Sequence, residues 1–154
     1  MIKFADQTGT KNSTTYYMTR FVRGNWLDSL LFCQKFNMDM LTLESEKEYD
    51  NFQTILKNNT SILDGMIYVG AVELEPYKMG PNAPWMWVKS GQQVNTTNKW
   101  NVGKPDNTGV GQSCLGLYKG SGYRYDDFFC NTPSSHVKIV CKKSRMVWTY
   151  YNFV

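Results

Sequence analysis

Two adjacent carboxylates, Asp126 and Asp127, are the side chains of this sequence that first suggest chemistry. A pair of carboxyl groups flanking one bond is the machinery of glycoside hydrolysis. Successive residues of a strand point to opposite faces, so this pair is not expected to reach a common bond. The single histidine, His136, has no nucleophile motif beside it, and Walker, Rossmann and G-x-S-x-G patterns do not occur. The sequence therefore predicts a protein that is not an enzyme.

Four cysteines and several glycosylation sequons indicate where the protein works. No cysteine pair has Cys-x-x-Cys spacing and only one histidine is present, so two disulfides are favoured over a zinc site. The spacing does not choose among the three pairings that four cysteines allow. Sequons begin at Asn12, Asn58 and Asn95, and another overlaps at Asn59. Together these features predict a secreted, extracellular glycoprotein.

The composition predicts one folded domain over residues 1–154. Hydrophobic residues fill 42% of the positions, and 17 Lys and Arg against 13 Asp and Glu leave a net charge of +4. A chain of this length buries roughly two-thirds of its unfolded surface, which excludes a disordered or fibrous protein. Its apolar runs are far shorter than the about 20 residues that cross a bilayer, and its first residues lack a signal-peptide core. A processed chain with no membrane span and no nucleic-acid partner is expected.

Two helices are predicted in the N-terminal half, after a strand over residues 14–22. Asn25 is expected to cap the first helix, which carries Cys33 towards the core. Its apolar stripe is predicted to contain Trp26, Leu27, Leu30, Leu31 and Phe32. Ser45 and Glu48 have the spacing of a capping box at the start of the second helix. The buried stripe of that helix is predicted to contain Tyr49, Phe52, Ile55 and Leu56.

The second half is predicted to consist of strands and loops. Short strand-like runs occupy residues 66–69, 85–88, 114–118 and 137–141, separated by Gly, Pro and Asn. Longer irregular stretches cover residues 73–84 and 91–111, and long irregular segments of compact domains are usually functional. Helices first and strands later predict a single domain of the α+β class.

The order of several motifs resembles the C-type lectin-like domain over about residues 16–142. The matching elements are Asn25-Trp26 before a helix with Cys33, Tyr68-Val69-Gly70, Trp85-x-Trp87, Gly91, Trp100, Lys104-Pro105-Asp106-Asn107, Gln112, Cys114, Tyr125-Asp126-Asp127, Cys130 and Cys141. The resemblance implies an α+β C-type lectin fold, with two helices packed on two small antiparallel sheets and a long loop region. It also implies the disulfides Cys33–Cys141 and Cys114–Cys130. The sequence is similar to those of secreted invertebrate C-type lectins of innate immunity, notably those of insects.

The resemblance further implies a calcium-dependent carbohydrate site. C-type lectins bind sugars through vicinal hydroxyls that complete the coordination of a loop-bound Ca²⁺, a hard cation with oxygen ligands. The positions implied as calcium ligands are Asp106, Gln112, Asp126 and Asp127. The positions implied as carbohydrate contacts are Lys104, Asp106, Gln112, Tyr125 and Asp126. Because Pro105-Asp106 is similar to the galactose-type pattern, galactose-containing glycans are the expected ligands.

Lys104 departs from the family pattern, because a lysine removes an oxygen ligand and places a positive charge near a dication. If Lys104 swings into solvent, a weakened single calcium site remains, which leads to the predicted calcium-dependent lectin. If its ammonium instead pairs with Asp126 or Asp127, a metal-free surface results. The protein would then be a calcium-independent protein-interaction module, paired with another lectin chain as a dimer. Binding of anionic polysaccharides is a third alternative, through a basic cluster of Lys138, Lys142, Lys143 and Arg145.

Two further expectations concern aromatic residues and a second metal site. Trp100 is expected in the core rather than against a sugar. A second calcium site of some family members is expected to be lost, because Asn107 and Ser113 stand where acids would be required. Residues 143–154 extend past the last cysteine, and their aromatic end is predicted to pack back as an extra strand or to cover a partner chain.

Overall fold

The computed structural model of the chain describes residues 1–8, 12–59, 65–74, 84–95, 97–108, 111–132 and 137–146. The helices are α1 (Trp26–Lys35) and α2 (Glu46–Asn58). The strands are β1 (Ile2–Thr8), β2 (Asn12–Arg23), β3 (Asp39–Met40), β4 (Met66–Glu73), β5 (Trp85–Trp87), β6 (Cys114–Tyr118), β7 (Arg124–Phe128) and β8 (Val137–Met146). The predicted α+β class, with both helices in the N-terminal half, is confirmed.

The strands join into a single path in the order β1-β2-β8-β4-β6-β7, with β3 beside β8 and β5 beside β4. The described pairs are antiparallel except β4 with β8, which is parallel. The expectation of two separate antiparallel sheets is therefore corrected. Strand β8 is ten residues long, and it pairs with β2 along its length and with β4 at its start, so it links the two halves. Strand β1 pairs with β2 from Ile2 onward, N-terminal to the predicted core of about residues 16–142.

Helix α1 begins as predicted but presents a different face to the core. Asn25 Oδ1 accepts a hydrogen bond from the Asp28 N–H (2.8 Å), and Asp28 Oδ2 accepts one from the Asn25 N–H (3.0 Å). The buried residues of α1 are Trp26, Ser29 and Cys33. Leu27 and Leu31, predicted in the buried stripe, are 55% and 54% exposed. They lie four positions apart on a face turned about 100° from the Trp26 side, because each residue advances a helix by that angle.

Helix α2 packs as predicted through Tyr49, Phe52 and Leu56, which are buried. Ser45 Oγ accepts from the Glu48 N–H at 3.2 Å, which is half of the predicted capping box. The Glu48 carboxylate does not accept the second hydrogen bond of the box, from the Ser45 N–H. It accepts one from the Glu44 N–H at 3.1 Å instead and pairs with Lys142 of β8.

Two disulfides tie these elements together, as the resemblance implied. Cys33 of α1 joins Cys141 of β8, 108 positions later in the sequence, and Cys114 joins Cys130, 16 positions later. The largest hydrophobic cluster is rich in tryptophan and tyrosine. Gly116 of β6 has no room for a side chain, because a Cβ would lie 2.9 Å from the Phe128 ring and 3.1 Å from the Ile67 carbonyl oxygen.

Several predicted features fall outside the described residues. These include residues 75–83 of the first irregular stretch, His136, residues 147–154 and the side chains of Asn12 and Arg145. Among the other sequon asparagines, Asn58 and Asn95 are exposed, and their glycosylation stays a prediction. Neither of the described helices is long and apolar enough to span a bilayer.

Candidate functional site

The loop that carries Lys104 lies along the outer edge of β7. The Asn101 N–H donates to the Tyr125 carbonyl oxygen at 2.8 Å. The Arg124 guanidinium donates from Nε to the Trp100 carbonyl oxygen and from a terminal nitrogen to a second loop carbonyl, each at 2.8 Å. Because the loop follows β7, it brings Lys104 beside the two acidic residues of that strand.

The Lys104 ammonium lies among three carboxylates, and these four residues are called the Lys104 cluster. Lys104 Nζ is 2.9 Å from Asp106 Oδ1, 3.2 Å from Asp126 Oδ1 and 3.6 Å from Asp127 Oδ1. An ammonium has three N–H donors, so a single lysine can serve three carboxylates. The Lys104 side chain is 21% exposed and is directed into the cluster rather than into solvent.

The pKa values of the Lys104 cluster reflect this pairing. Burial alone would lower the pKa of Lys104, but hydrogen bonds with Asp106 and Asp126 and the nearby negative charges outweigh burial and raise that pKa. For Asp126 the balance is reversed, because desolvation raises its pKa more than Lys104 and Asn101 lower it. The Asn101 amide donates to Asp126 Oδ2 at 3.3 Å. Lys104 therefore carries its positive charge at neutral pH.

Asp127 is the buried centre of the Lys104 cluster. Asp127 is 1% exposed, yet its carboxylate accepts hydrogen bonds from the Asp106 N–H at 3.2 Å and from the Asn107 N–H at 2.6 Å. A carboxylate is tolerated in the interior only when it is paired and hydrogen-bonded. Asp127 meets that condition through two backbone donors and Lys104, so it fixes the loop backbone as well as the lysine.

Asn107 has a role that the sequence analysis missed. Its Oδ1 accepts from the N–H groups of Gly111 and Gln112, each at 2.9 Å, and the residue is 5% exposed. Its φ of 48° lies in the left-handed region, which asparagine tolerates better than most residues. The side chain thereby closes the loop from within. The signal was present in the Pro-Asp-Asn sequence, since such residues bond to the backbone of turns.

Gln112 and Glu73 lie outside the Lys104 cluster. No described hydrogen bond or ion pair joins Gln112 to its members, and Gln112 Oε1 is buried with no hydrogen-bond partner among the described residues. Glu73 at the end of β4 also has a buried oxygen without a partner there. Desolvation, reinforced by the charge of Asp127, raises the pKa of Glu73. No motif in the sequence pointed to this acid near the site.

Asp126 and Asp127 contact a common atom although they are adjacent on β7. Oxygens of both lie within 3.6 Å of the same ammonium nitrogen. The lysine lies beside the outer edge of β7, where side chains from the two faces of a strand can bend towards one point. Both carboxylates are occupied by this pairing, so the arrangement gives no support to a hydrolase.

The donor set does not fit the calcium ion that the resemblance implies. Calcium takes about six to eight oxygen ligands. The three carboxylates here already share an ammonium, which repels a second cation.

The aromatic residues beside the Lys104 cluster belong to the core. Trp100 is 8% exposed, as expected for a core residue. Tyr125 is 0% exposed, and its ring packs against Tyr49, Trp87 and Trp100. The prediction that Tyr125 contacts carbohydrate is therefore wrong, because no part of its ring reaches the surface.

The predicted basic cluster is also corrected. Lys138 and Lys142 are each 9% exposed. Lys142 donates to Thr42 Oγ1 at 3.1 Å and to the Thr42 carbonyl oxygen at 3.3 Å, and it pairs with Glu48. Side chains alternate along β8, so part of the basic run points inward. Lys138 and Lys142 therefore add little exposed charge to a basic patch for anionic polysaccharides, and the side chain of Arg145 lies outside the described residues.

Lys104 also sets the acidity of the Asp106 carboxyl. Hydrogen bonds from Lys104 and then Thr108 lower the pKa of Asp106 from its usual 3.8 to about 2. A lowered folded-state pKa means that the stabilisation is present above the ordinary pKa and is lost as the pH falls from about 4 through about 2. We expect a carboxyl NMR titration to give a midpoint near this value, and Lys104→Met to raise it.

The control for this titration is Lys89→Met, which removes an ion pair with Asp39 elsewhere on the surface. It should leave the Asp106 midpoint unchanged. A wild-type midpoint equal to that of Lys104→Met would show that Lys104 and Asp106 are not paired in solution.

Comparison with known proteins finds C-type lectins among the similar sequences. No protein-family model matches the chain. The chain is 24% identical to C-type lectin BML-2 of Bungarus multicinctus over 110 residues, which are 70% of this chain and 65% of that protein. It is 29% identical to CD209 antigen-like protein D of Mus musculus over 121 residues, which are 78% of this chain and 45% of that protein. The chain thus spans less than two-thirds of the length of these curated relatives.

Solved structures share the fold over nine-tenths of the chain. Human lithostathine has a TM-score of 0.68 at 20% identity, over 91% of this chain and 97% of its own. The mouse scavenger receptor C-type lectin carbohydrate-recognition domain has a TM-score of 0.67 at 22% identity, over 91% of this chain and 95% of its own. The C-type lectin domain of murine dendritic cell inhibitory receptor 2, in complex with N-glycan, has a TM-score of 0.65 at 18% identity, over 91% of this chain and 96% of its own. These relatives come from a snake and from mammals, so the predicted insect resemblance stays a prediction.

Proposed function

We propose that this chain, which has the C-type lectin fold, is a carbohydrate-binding domain that recognises neutral glycans at the Lys104 cluster. The observation that carries the proposal is the partly exposed Asp106 carboxylate, which Lys104 and the buried part of the Lys104 cluster hold at the surface. Asp106 is 37% exposed in its side chain, while Asp127 beneath it fixes the loop backbone. The lectin names of the curated relatives and the glycan-bound structural neighbour support the same assignment.

The charge of the Lys104 cluster indicates which glycans it accepts. One ammonium against three carboxylates leaves a net negative charge. Carboxylates accept hydrogen bonds from sugar hydroxyls, and charge-assisted bonds of this kind are stronger than neutral ones. Sulfated or sialylated sugars would be repelled. Neutral sugars are therefore the proposed ligands, and the galactose-type preference suggested by Pro105-Asp106 is one specific form of this proposal.

We also propose that the protein acts outside the cell. Its cysteines are all paired, and disulfides persist in oxidising compartments. The exposed positions of Asn58 and Asn95 are compatible with glycosylation. A role in innate immunity rests on the resemblance to secreted invertebrate lectins and stays a prediction.

A glycan array tests the proposed function. We expect the labelled, disulfide-intact domain to bind neutral glycans, and Asp106→Asn to weaken binding by about tenfold or more, because a hydrogen bond to a charged group contributes about 1.5–3 kcal/mol. Asp50→Asn is the matched control, since Asp50 pairs with Lys99 and no described contact joins it to the Lys104 cluster. An array without signal, or equal signals for both variants, would argue against glycan recognition at this cluster.

A second candidate function, a protein-interaction module that pairs with another copy, is favoured by the surface of α1. Leu27 and Leu31 are more than half exposed there, and Asp28 and Lys35 stand near opposite ends of the helix. In a symmetric pair of antiparallel helices, Asp28 would face Lys35 of the partner subunit. A dimer in sedimentation equilibrium that Leu31→Ser dissociates, together with a silent array, would favour this function.

A further inference from the structure

The Lys104 cluster brings together three like charges that need a compensating cation. The side chains of Asp126 and Asp127 are 8% and 0% exposed, so water screens their mutual repulsion poorly. Asp106 approaches the same point from the loop. A buried carboxylate without a counter-charge either shifts its protonation or opens the structure to water.

Lys104 supplies that charge and also connects two segments of the chain. Its ammonium contacts Asp106 in the loop and Asp126 and Asp127 on β7. Asp106 Oδ1 accepts a second bond from the Thr108 N–H at 3.0 Å, so the oxygen that meets the ammonium is itself fixed. The Lys104 N–H donates to the Asn101 carbonyl oxygen at 3.1 Å, which holds the lysine backbone at this place. One cation thus joins loop and strand.

We propose that Lys104 is a built-in cation that takes the structural place of a bound metal ion, so that this loop assembles without calcium. The proposal deepens the proposed function, because recognition at the Lys104 cluster would then need no calcium. A calcium ion would have to displace an ammonium that three carboxylates hold. With Lys104→Glu the displacement is no longer needed, and a fourth carboxylate joins the other three.

Calcium titration by isothermal calorimetry tests this proposal without any glycan. The probe is CaCl₂ alone, added to the disulfide-intact domain as wild type, Lys104→Glu and Lys89→Glu. Lys89→Glu makes the same charge change at an ion pair with Asp39 outside the loop. We expect saturable binding only by Lys104→Glu, with a dissociation constant of about 10⁻³ M or lower, the range of extracellular calcium modules.

Three results of the titration would overturn the proposal. Saturable calcium binding by the wild type would show that the ammonium does not exclude the metal. An absence of binding by both wild type and Lys104→Glu would show that Lys104 is not what excludes it. Equal binding by Lys89→Glu and Lys104→Glu would show a general effect of charge. A silent glycan array, in contrast, would end the proposed function and leave this assignment intact.

Thermal unfolding supplies a second readout, which remains usable if Lys104→Glu does not fold. We expect the wild-type melting temperature to be the same in CaCl₂ and in EDTA. Lys104→Arg should behave likewise because it keeps the positive charge, whereas Lys104→Gln should melt at a lower temperature. A Lys104→Gln protein that melts at the wild-type temperature in both buffers would overturn the role of the lysine as the cation of the loop.

Discussion

Asp127→Ala is expected to lower the free energy of unfolding by about 3–5 kcal/mol, the usual cost of removing one partner from a buried ion pair. Asp127 is 1% exposed and accepts two backbone hydrogen bonds, from Asp106 and Asn107. Its loss leaves a buried N–H without a partner and removes one counter-charge of Lys104. Urea unfolding followed by tryptophan fluorescence, with the disulfides intact, measures the change.

Asp50→Ala is the control for this substitution. Asp50 pairs with Lys99, but its side chain is 62% exposed, and exposed ion pairs contribute only about 0–1 kcal/mol. Asp127→Asn should fall between the two variants, because an amide keeps one acceptor oxygen but loses the charge. If Asp127→Ala and Asp50→Ala are equally stable, the buried arrangement around Asp127 does not exist in solution.

Removal of the Cys33–Cys141 disulfide is expected to cost about 4–5 kcal/mol. The bridge spans 108 positions of the sequence, and in the chain-entropy model a loop of about 100 residues contributes about 4.7 kcal/mol. Both cysteines are 0% exposed, so alanine is the suitable replacement, since serine would add a buried hydroxyl. The measurement is again the unfolding free energy of the double Cys→Ala variant.

The second disulfide provides the comparison. Cys114 and Cys130 are only 16 positions apart, and a loop of about 15 residues contributes about 3 kcal/mol. We therefore expect Cys33→Ala with Cys141→Ala to be the less stable double variant. The reverse order would mean that loop length does not govern these two bridges.

Local signals in the sequence determined much of the fold. Asn25 and Asp28 form the predicted cap of α1, because capping requires only residues three positions apart. Helix α2 buries Tyr49, Phe52 and Leu56 as its periodicity predicted. The ordered motifs implied the disulfide pairing that the structure contains. Such features depend on neighbours along the chain or on a pattern that covers most of its length.

The tertiary structure decided the orientation of side chains that local sequence did not determine. The pattern of α1 did not show that Leu27 and Leu31 face away from the core, because that depends on how the helix lies against β4 and β8. Lys142 belonged to an apparent basic run, yet Glu48, almost a hundred positions earlier, holds it inside.

Lys104 shows the same limit at the candidate site. Its side chain could point into solvent or towards the aspartates, and local spacing in the sequence did not distinguish these two directions. A lysine has a long and flexible stem, so its direction follows the electric field of whatever the fold places nearby. Asp126 and Asp127 lie more than 20 positions later, and only the packing of the loop along β7 brings them within 3.6 Å of the ammonium. The sequence supplied the charges, and the tertiary structure decided which of them meet.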